Sequence, residues 1–348
     1  FFLMGGKKEH VCNSTCSWMK DFIPKGIGQK SLLDIMIPGT HDSATNEITS
    51  SSLYAAGDGE EAFSSVPSIL KNDITKLVSK RYAVKWAVNQ RKSITKQLQH
   101  GIRYLDLRVC GEKEKKKDIK QIYTCHFFVG SKIENVLNQV DSFTKTHKKE
   151  IIILDFQHFY SMGDAEHEYL ANLIKDTFGN RLVPNNFVLT DNIQTIWDNN
   201  WSIIVFYNKT KKTTNFKRKK YEFLWKRDSK YIVSKYLEAE KSKILHSKLD
   251  KHLQHRFKVL NGEEEDEIAY DKILHVSQGV ITPDVNRVMT GVKGRDIEAV
   301  GEKITKYVID WILKEWIDLN LNVVIVDQYH KTKFIEEVLK INQKRLNS

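Results

Sequence analysis

The sequence predicts an α/β chain built on a parallel sheet, and three observations carry that prediction. Apolar runs of strand character recur along the chain. Stretches of helical, mixed-charge pattern separate them. Histidines, carboxylates and an arginine gather at or near the ends of the runs, which is where a parallel barrel or a doubly wound sheet displays its chemistry.

The first run is Leu33-Asp34-Ile35-Met36-Ile37, stopped by a Pro38-Gly39 turn and followed by Thr40-His41-Asp42-Ser43. Two readings apply here. His41 and Asp42 are site residues at a strand end, or they cap the turn and the next helix. The second run, Gly101 to Val109, carries Asp106 and Arg108 two residues apart. Period-two alternation puts both on one face, and charges inside an apolar strand are costly unless paired or used. The third run, Gln121 to Phe128, contributes His126. The fourth, Glu150 to Phe159, contains Asp155, Gln157 and His158. Tyr207 ends the fifth, Ser202 to Asn208, and Gln278 lies on the sixth, Ile273 to Val280. The last, Val323 to Tyr329, carries Asp327. Helices are expected over Lys76 to Val88, Tyr169 to Phe178, Tyr231 to His246 and Glu302 to Leu319.

The chemistry that these residue types suit is phosphoryl transfer. One imidazole takes a proton from an attacking hydroxyl and a second gives one to the leaving oxygen, each role being worth on the order of 100- to 10,000-fold. Histidine serves both because its ordinary pKa lies near neutrality. An arginine holds the phosphate oxygens with a planar fork.

The Ile37-Pro38-Gly39-Thr40-His41-Asp42-Ser43 run, the Gly101 to Arg108 run and His126 resemble the X domain of phosphatidylinositol-specific phospholipase C, most nearly its stand-alone animal form. Lys85 to Gln90, Glu150 to Phe156, Val276-Ser277-Gln278 and Ile341 to Lys344 extend the likeness from about Trp18 to Leu346. The resemblance implies a distorted TIM-type (β/α) barrel. It implies His41 as base on the inositol 2-hydroxyl, His126 as acid for the diacylglycerol oxygen, and Arg108 on the phosphate. Asp327 would orient His41, Asp42 would support the acid side, and Asp106 would hold the arginine or an inositol hydroxyl. The products would be a cyclic inositol phosphate and diacylglycerol. Tyr207, Gln278 and Gln157 are expected to shape the head-group pocket, each with a structural role as the alternative.

No metal and no cofactor are expected. The calcium-dependent relatives hold the ion with an asparagine and carboxylates, whereas here Asp42 stands at the asparagine position and Arg108 among the ligands, so a fixed cation replaces calcium. No cysteine-histidine cluster has zinc spacing either.

At 348 residues and 41 % hydrophobic content the chain can bury a sizeable core. So many strands serving one site favour a single domain, with an amino-terminal extension at 1–20 and the barrel at 21–346. The net charge of +11 suits an anionic membrane surface and a phosphorylated lipid head group. Basic runs lie at Lys113 to Lys120 and Lys209 to Lys220, the second followed by Tyr221, Phe223 and Trp225, a mixture suited to a bilayer interface. Nucleic acid is not expected, since no binding motif accompanies the charge. The long excursion Thr45 to Gln90 is placed at the rim, with Tyr54 and Phe63 as lipid contacts, and Glu263 to Glu267 reads as a solvated turn.

No apolar run is long enough to span a bilayer, so a cytoplasmic protein peripheral at membranes is expected, with secretion as the alternative. Cys12, Cys16, Cys110 and Cys125 fit two disulfides or four thiols equally, and Asn13 and Asn208 begin glycosylation sequons. Three functional readings follow: an active metal-independent phospholipase C, a non-catalytic phosphoinositide or inositol-phosphate binding regulator, and a barrel phosphodiesterase on another phosphodiester. The intact histidine pair favours the first, because binding alone needs cations rather than an acid and a base.

Overall fold

A computed structural model describes residues 15–22, 27–58, 80–81, 83–112, 121–208, 215–282 and 296–347. Among them ten strands form one sheet in the order β7-β6-β5-β2-β1-β10-β9-β8. The strands are β1 Ile37–Thr40, β2 Tyr104–Glu112, β3 Gln121–His126, β4 Phe128–Lys132, β5 Ile152–Tyr160, β6 Ile203–Tyr207, β7 Leu224–Lys226, β8 Ile232–Ser234, β9 Leu274–Gly279 and β10 Val323–Val326. Every pairing along that path is parallel. β3 and β4 are an antiparallel hairpin attached to β2. The sheet curls into a distorted barrel, and β7 and β8, its two ends, are not paired with each other.

The helices that flank the sheet among the described residues include α1 Ile94–His100, α2 Ile133–Thr146, α3 Asp164–Phe178, α4 Ile193–Asp198, α5 Ser242–Leu260, α6 Ile297–Lys314 and α7 Phe334–Asn347. Each longer helix buries one apolar stripe, as Val136, Leu137, Val140 and Phe143 do on α2. Nearly all buried apolar residues join one cluster, running from Trp18 to Ile341. A parallel sheet buried on both faces needs continuous apolar strands, which is why β6 reads Ile-Ile-Val-Phe-Tyr and β10 reads Val-Val-Ile-Val.

The barrel interior is narrow at β1. A Cβ on Gly39 would meet Ile325 Cγ2 at 2.8 Å and Tyr104 at 3.0 Å, so only glycine fits between these neighbours. At Gly101 the backbone is left-handed (φ 114°), which closes α1 and turns the chain into β2.

Below the sheet, Arg103 is fully buried. It donates to Glu150 Oε2 from Nε and Nη2 at 2.8 and 2.6 Å, and to the carbonyls of Leu98, Ile102 and Cys16. Glu150 also accepts from the backbone N–H groups of Met19 and Lys20. This pair pins residues 15–20, expected as the end of an extension, against the barrel, with Trp18 fully buried.

The expected helix over Tyr231 to His246 is a misreading. β8 occupies Ile232–Ser234, and the helix starts at Ser242 and runs to Leu260. Three residues are too few to show a period, so helical spacing in the flanks concealed the strand. Of the helix expected over Lys76 to Val88, residues 83–87 are helical and residues 76–79 lie outside the described residues. Cys16 is disulfide-bonded, whereas Cys110 and Cys125 are free and buried.

Candidate active site

The carboxyl ends of β1, β2 and β10, with the β3 end, bring five of the six expected side chains into contact at one point, and Asp106 supports them from β2. The chain leaves β1 through His41 and then turns at Asp42, whose φ of 43° is left-handed. Aspartate tolerates that region better than most residues, and here the Asp42 N–H is held by Asp106 Oδ2 at 3.2 Å. Gln90 fixes the same turn by donating to the carbonyls of His41 and Val326 at 3.0 and 2.8 Å.

His41 Nδ1 lies 3.0 Å from Asp327 Oδ1. Asn89 donates to the same carboxylate oxygen at 3.1 Å. A carboxylate at Nδ1 places the proton there and turns Nε2 toward the site. Arg108 Nη2 approaches that Nε2 at 3.0 Å, and Arg108 Nε stands 2.6 Å from Asp42 Oδ1. His126 faces His41 across Asp42: its Nε2 is 3.5 Å from Asp42 Oδ2, the His41 Nε2 is 3.4 Å from the same oxygen, and the ring centroids are 6.5 Å apart. The other nitrogen of His126 donates to the Ala87 carbonyl at 3.1 Å. After His126 the chain bends at Phe127 (φ 57°), where Asp58 accepts its N–H at 2.6 Å.

Burial opposes charge throughout this cluster, and the partners decide the outcome. Burial works against the His41 imidazolium, yet Asp42 and Asp327 outweigh it and push its pKa up to about 9. The contact from Arg108 needs a lone pair on Nε2 and so favours the neutral ring; the two carboxylates and the arginine therefore compete over this proton. Burial would also raise Asp42, but Arg108, His126 and His41 hold it down to about 2. Asp106 moves the other way, to about 6, because burial and the Asp42 charge prevail over Arg108. Asp42 and Asp106 thus differ in protonation tendency although they are neighbours, a pattern found where acid and base roles are divided. The ordinary affinity of Arg108 for its proton is strengthened by Asp42 and Asp106 against its burial.

Both carboxylate oxygens of Asp42 and the Nε of Arg108 are buried without a well-angled hydrogen bond. Their ion pair is a charge contact, which leaves directional donors and acceptors for another group. His41, Asp42 and Asp106 also offer ligand atoms within 4.8 Å of one another, a set that would suit a cation. Arg108 lies against Asp42 in that space and brings its own positive charge there.

The remaining expectations divide. Gln278 shares the register row of Ile325 and Gly39, so it points into the barrel, where it donates to Ser234 at 2.9 Å. Gln157 is buried beside Asp155. Tyr207 requires correction as a pocket residue. In β6 it is Phe206 that pairs with Asp155 on the inner face, and Tyr207, one residue on, points outward. There it is fully buried among Phe156, Phe159 and Phe216, with its hydroxyl 2.7 Å from His167 Nδ1 on α3.

Tyr221, Phe223 and Trp225 are corrected likewise. All three are buried in the main core and none faces a bilayer, because the apolar spacing belongs to β7 and its approach. Tyr54 packs on Phe128 at 4.9 Å instead of extending to lipid. Phe63, Lys113 to Lys120 and Lys209 to Thr214 lie outside the described residues. In the acidic turn, Glu264 and Asp266 accept from His255 at 2.6 and 2.7 Å.

Sequence reading gave no role to Asn89, Gln90, Asp58 or Arg227. Arg227 meets Asp155 at 3.0 Å inside the barrel, where the Tyr104 hydroxyl also binds that carboxylate. His158 sits in register with Arg108, and burial and then Arg108 lower its pKa to about 4. No periodic signal marks these positions; loop polar residues and a strand-end arginine look alike before the chain folds.

Residues 69–209 match the family model described as phosphatidylinositol-specific phospholipase C, X domain. The chain is 32 % identical to PI-PLC X domain-containing protein 2 of Homo sapiens over 285 residues, covering 82 % of each. It is 28 % identical to the Mus musculus protein of that name over 334 residues, covering 95 % of this chain and 88 % of the other. Among solved structures it is similar to a phosphatidylinositol-specific phospholipase C of S. aureus (TM-score 0.56, 15 % identity, 95 % and 98 % covered). The Listeria monocytogenes enzyme of the same description gives a TM-score of 0.54 at 18 % identity, with 94 % and 98 % covered. At these identities the two structures establish the likeness of fold alone.

Proposed function

From the premise that this chain belongs to the PI-PLC X domain-containing family, we propose that it is a metal-independent phospholipase C acting on phosphatidylinositol or a related inositol lipid. The observation that carries the reading is the placing of two imidazoles on either side of Asp42 and Arg108, with ring centroids 6.5 Å apart. That arrangement sets a candidate base and a candidate acid on either side of one arginine, the set that cleavage of a phosphodiester uses.

In this mechanism His41 Nε2 takes the proton of the inositol 2-hydroxyl, and the resulting oxygen attacks phosphorus. His126 Nε2 gives its proton to the departing diacylglycerol oxygen. The bond formed is the second P–O bond to inositol, and the bond broken is that to diacylglycerol, so the first product is a cyclic inositol phosphate. Arg108, held at Nε by Asp42, balances charge on the non-bridging oxygens. Asp327 orients His41 and stabilises its imidazolium after proton transfer, as a carboxylate does in a hydrolase triad. Asp42 anchors Arg108 and faces both rings. Asp106 holds the Asp42 turn through its N–H.

The protein would work at a membrane surface, drawn by its net charge of +11. No helix among the described residues is long and apolar enough to cross a membrane. Of the two locations expected from sequence, the Cys16 disulfide weighs toward the oxidising, secreted one.

Phosphorus NMR of the protein with phosphatidylinositol vesicles in excess EDTA tests the reading. A cyclic inositol phosphate resonance that disappears with His126→Ala supports it. Turnover only after calcium is added overturns the metal-independent route. Vesicle binding without turnover in either condition makes the chain a binding regulator.

A further inference from the structure

A second cavity lies on the outer side of the barrel, away from the histidine pair. It has a volume of about 290 Å³ and opens between α5 and the outer face of β8 and β9. His275 and Ser277 alternate with Val276 and Gln278 on β9, so they point away from the barrel interior that Gln278 enters. Leu249 and Leu253 of α5 form the apolar wall opposite, and His252 and Lys235 stand at the sides. The size is at the low end for small-molecule sites, which run from roughly 300 Å³ upward.

Two buried polar atoms at this cavity have no hydrogen-bond partner. They are His275 Nδ1 and Ser277 Oγ, on residues 7 % and 4 % exposed. A buried polar atom left unpaired is costly, so each calls for an explanation. Positive charges act on two of the three cavity histidines, His252 and His275, whereas hydrogen bonds to Asp266 and Glu264 raise the pKa of the third, His255. His252 is pushed down by burial and then by Lys235, His255 and Lys251, and His275 is pushed down to about 3 by burial and then by Arg256 and His252. The one carboxylate on the lining, Asp266, is engaged by His255 at 2.7 Å.

A metal ion does not fit this set. Among the described residues, clustered ligand atoms occur only at His41, Asp42 and Asp106, so these histidines do not converge on a common point. Lys235 with the hydroxyl of Ser277 and the imidazoles of His252 and His275, all lining one cavity, offers a positive charge and several spaced donors, which suits an oxyanion with several acceptor oxygens.

We propose that this cavity binds a small phosphate-bearing ligand, with Lys235 supplying charge, Ser277, His275 and His252 supplying hydrogen bonds, and Leu249 and Leu253 covering the non-polar part. The site is separate from the catalytic anion site, because β9 presents Ser277 outward and Gln278 inward.

The test uses inorganic phosphate as the probe and Arg108→Leu protein as the background, so that the catalytic site does not report. Histidine-ring NMR follows His252 and His275 as phosphate is added, and the backbone amide spectrum shows whether the fold is retained. The expected result is a saturable shift of both rings. Lys235→Met and His252→Gln, at exposed and half-buried positions, should each raise its midpoint roughly 10- to 100-fold. No saturable shift, or a midpoint unmoved by either substitution, overturns the proposal. Neither outcome bears on the phospholipase reading, whose assay is turnover by protein with Arg108 intact.

Discussion

Replacing Asp327 by asparagine removes one of the two carboxylates that govern His41. The rise of the His41 pKa from 6.5 to about 9 corresponds to about 3 kcal/mol in favour of the imidazolium. Burial opposes that rise, so Asp42 and Asp327 together supply more than the net figure. Asp42 divides its charge among Arg108 at 2.6 Å, His41 at 3.4 Å and His126 at 3.5 Å. Asp327 makes its ion-pair contact with His41 alone among the described residues, at 3.0 Å. Asp42 is the larger of the two charges acting on His41, and Asp327 adds a hydrogen bond to its own charge, so Asp327→Asn should lower the His41 midpoint by roughly 1.5 pH units.

The effect on stability has a definite sign. A histidine whose folded pKa is raised contributes stability in full below about 6.5 and loses it as the pH climbs through about 9. The variant should be less stable by about 2 kcal/mol at pH 6, and the difference should shrink as the pH rises through about 7.5 and be nearly gone by about 9. Turnover should fall by roughly 100- to 10,000-fold, because the ring loses both its orientation and its counter-charge. Vesicle binding should change little. Ring-proton NMR against pH, with phosphorus-detected turnover, reads both quantities. A His41 midpoint within about half a pH unit of the wild type, or unchanged turnover, refutes the assignment of Asp327 as the orienting carboxylate.

Arg108→Lys should lower turnover by about 100-fold or more with the fold intact by circular dichroism, since an ammonium cannot span Asp42 and His41 Nε2 as the planar fork does. Asp106→Asn should stabilise the protein at pH 7 by on the order of 1–3 kcal/mol in chemical denaturation. A carboxyl raised to about 6 contributes stability below its ordinary 3.8 and loses it as the pH passes 6, and the amide oxygen still accepts the Asp42 N–H. Glu150→Gln should destabilise by about 3–5 kcal/mol, because it leaves the Arg103 guanidinium buried and uncompensated. Urea melts would measure that loss, and a cost under about 1 kcal/mol would mean that Arg103 is satisfied by its carbonyl partners alone.

The sequence by itself determined the parallel α/β class and which polar side chains gather at the strand ends. Continuous apolar strands fit only a sheet covered on both faces, and charged side chains at the ends of such strands must be paired or used. His41, Asp42, Arg108, His126 and Asp327 were legible for that reason, although 286 residues separate His41 from its carboxylate. The facing of single residues was not legible at strand ends. Tyr207 and Phe206 differ by one position, and only the register with Asp155 shows which of them enters the barrel. The short β8 was hidden because three residues carry no period. The fixing contacts of Asn89, Gln90 and Asp58 also had to await the fold. Their partners lie just past β10, just past β1 and in the β3–β4 turn, and a loop amide or carboxylate acquires a role only when tertiary packing brings a distant strand end within hydrogen-bond range. Which charges prevail at His41 and Asp106 was likewise decided by distance and burial, two quantities that exist only once the chain has closed around them.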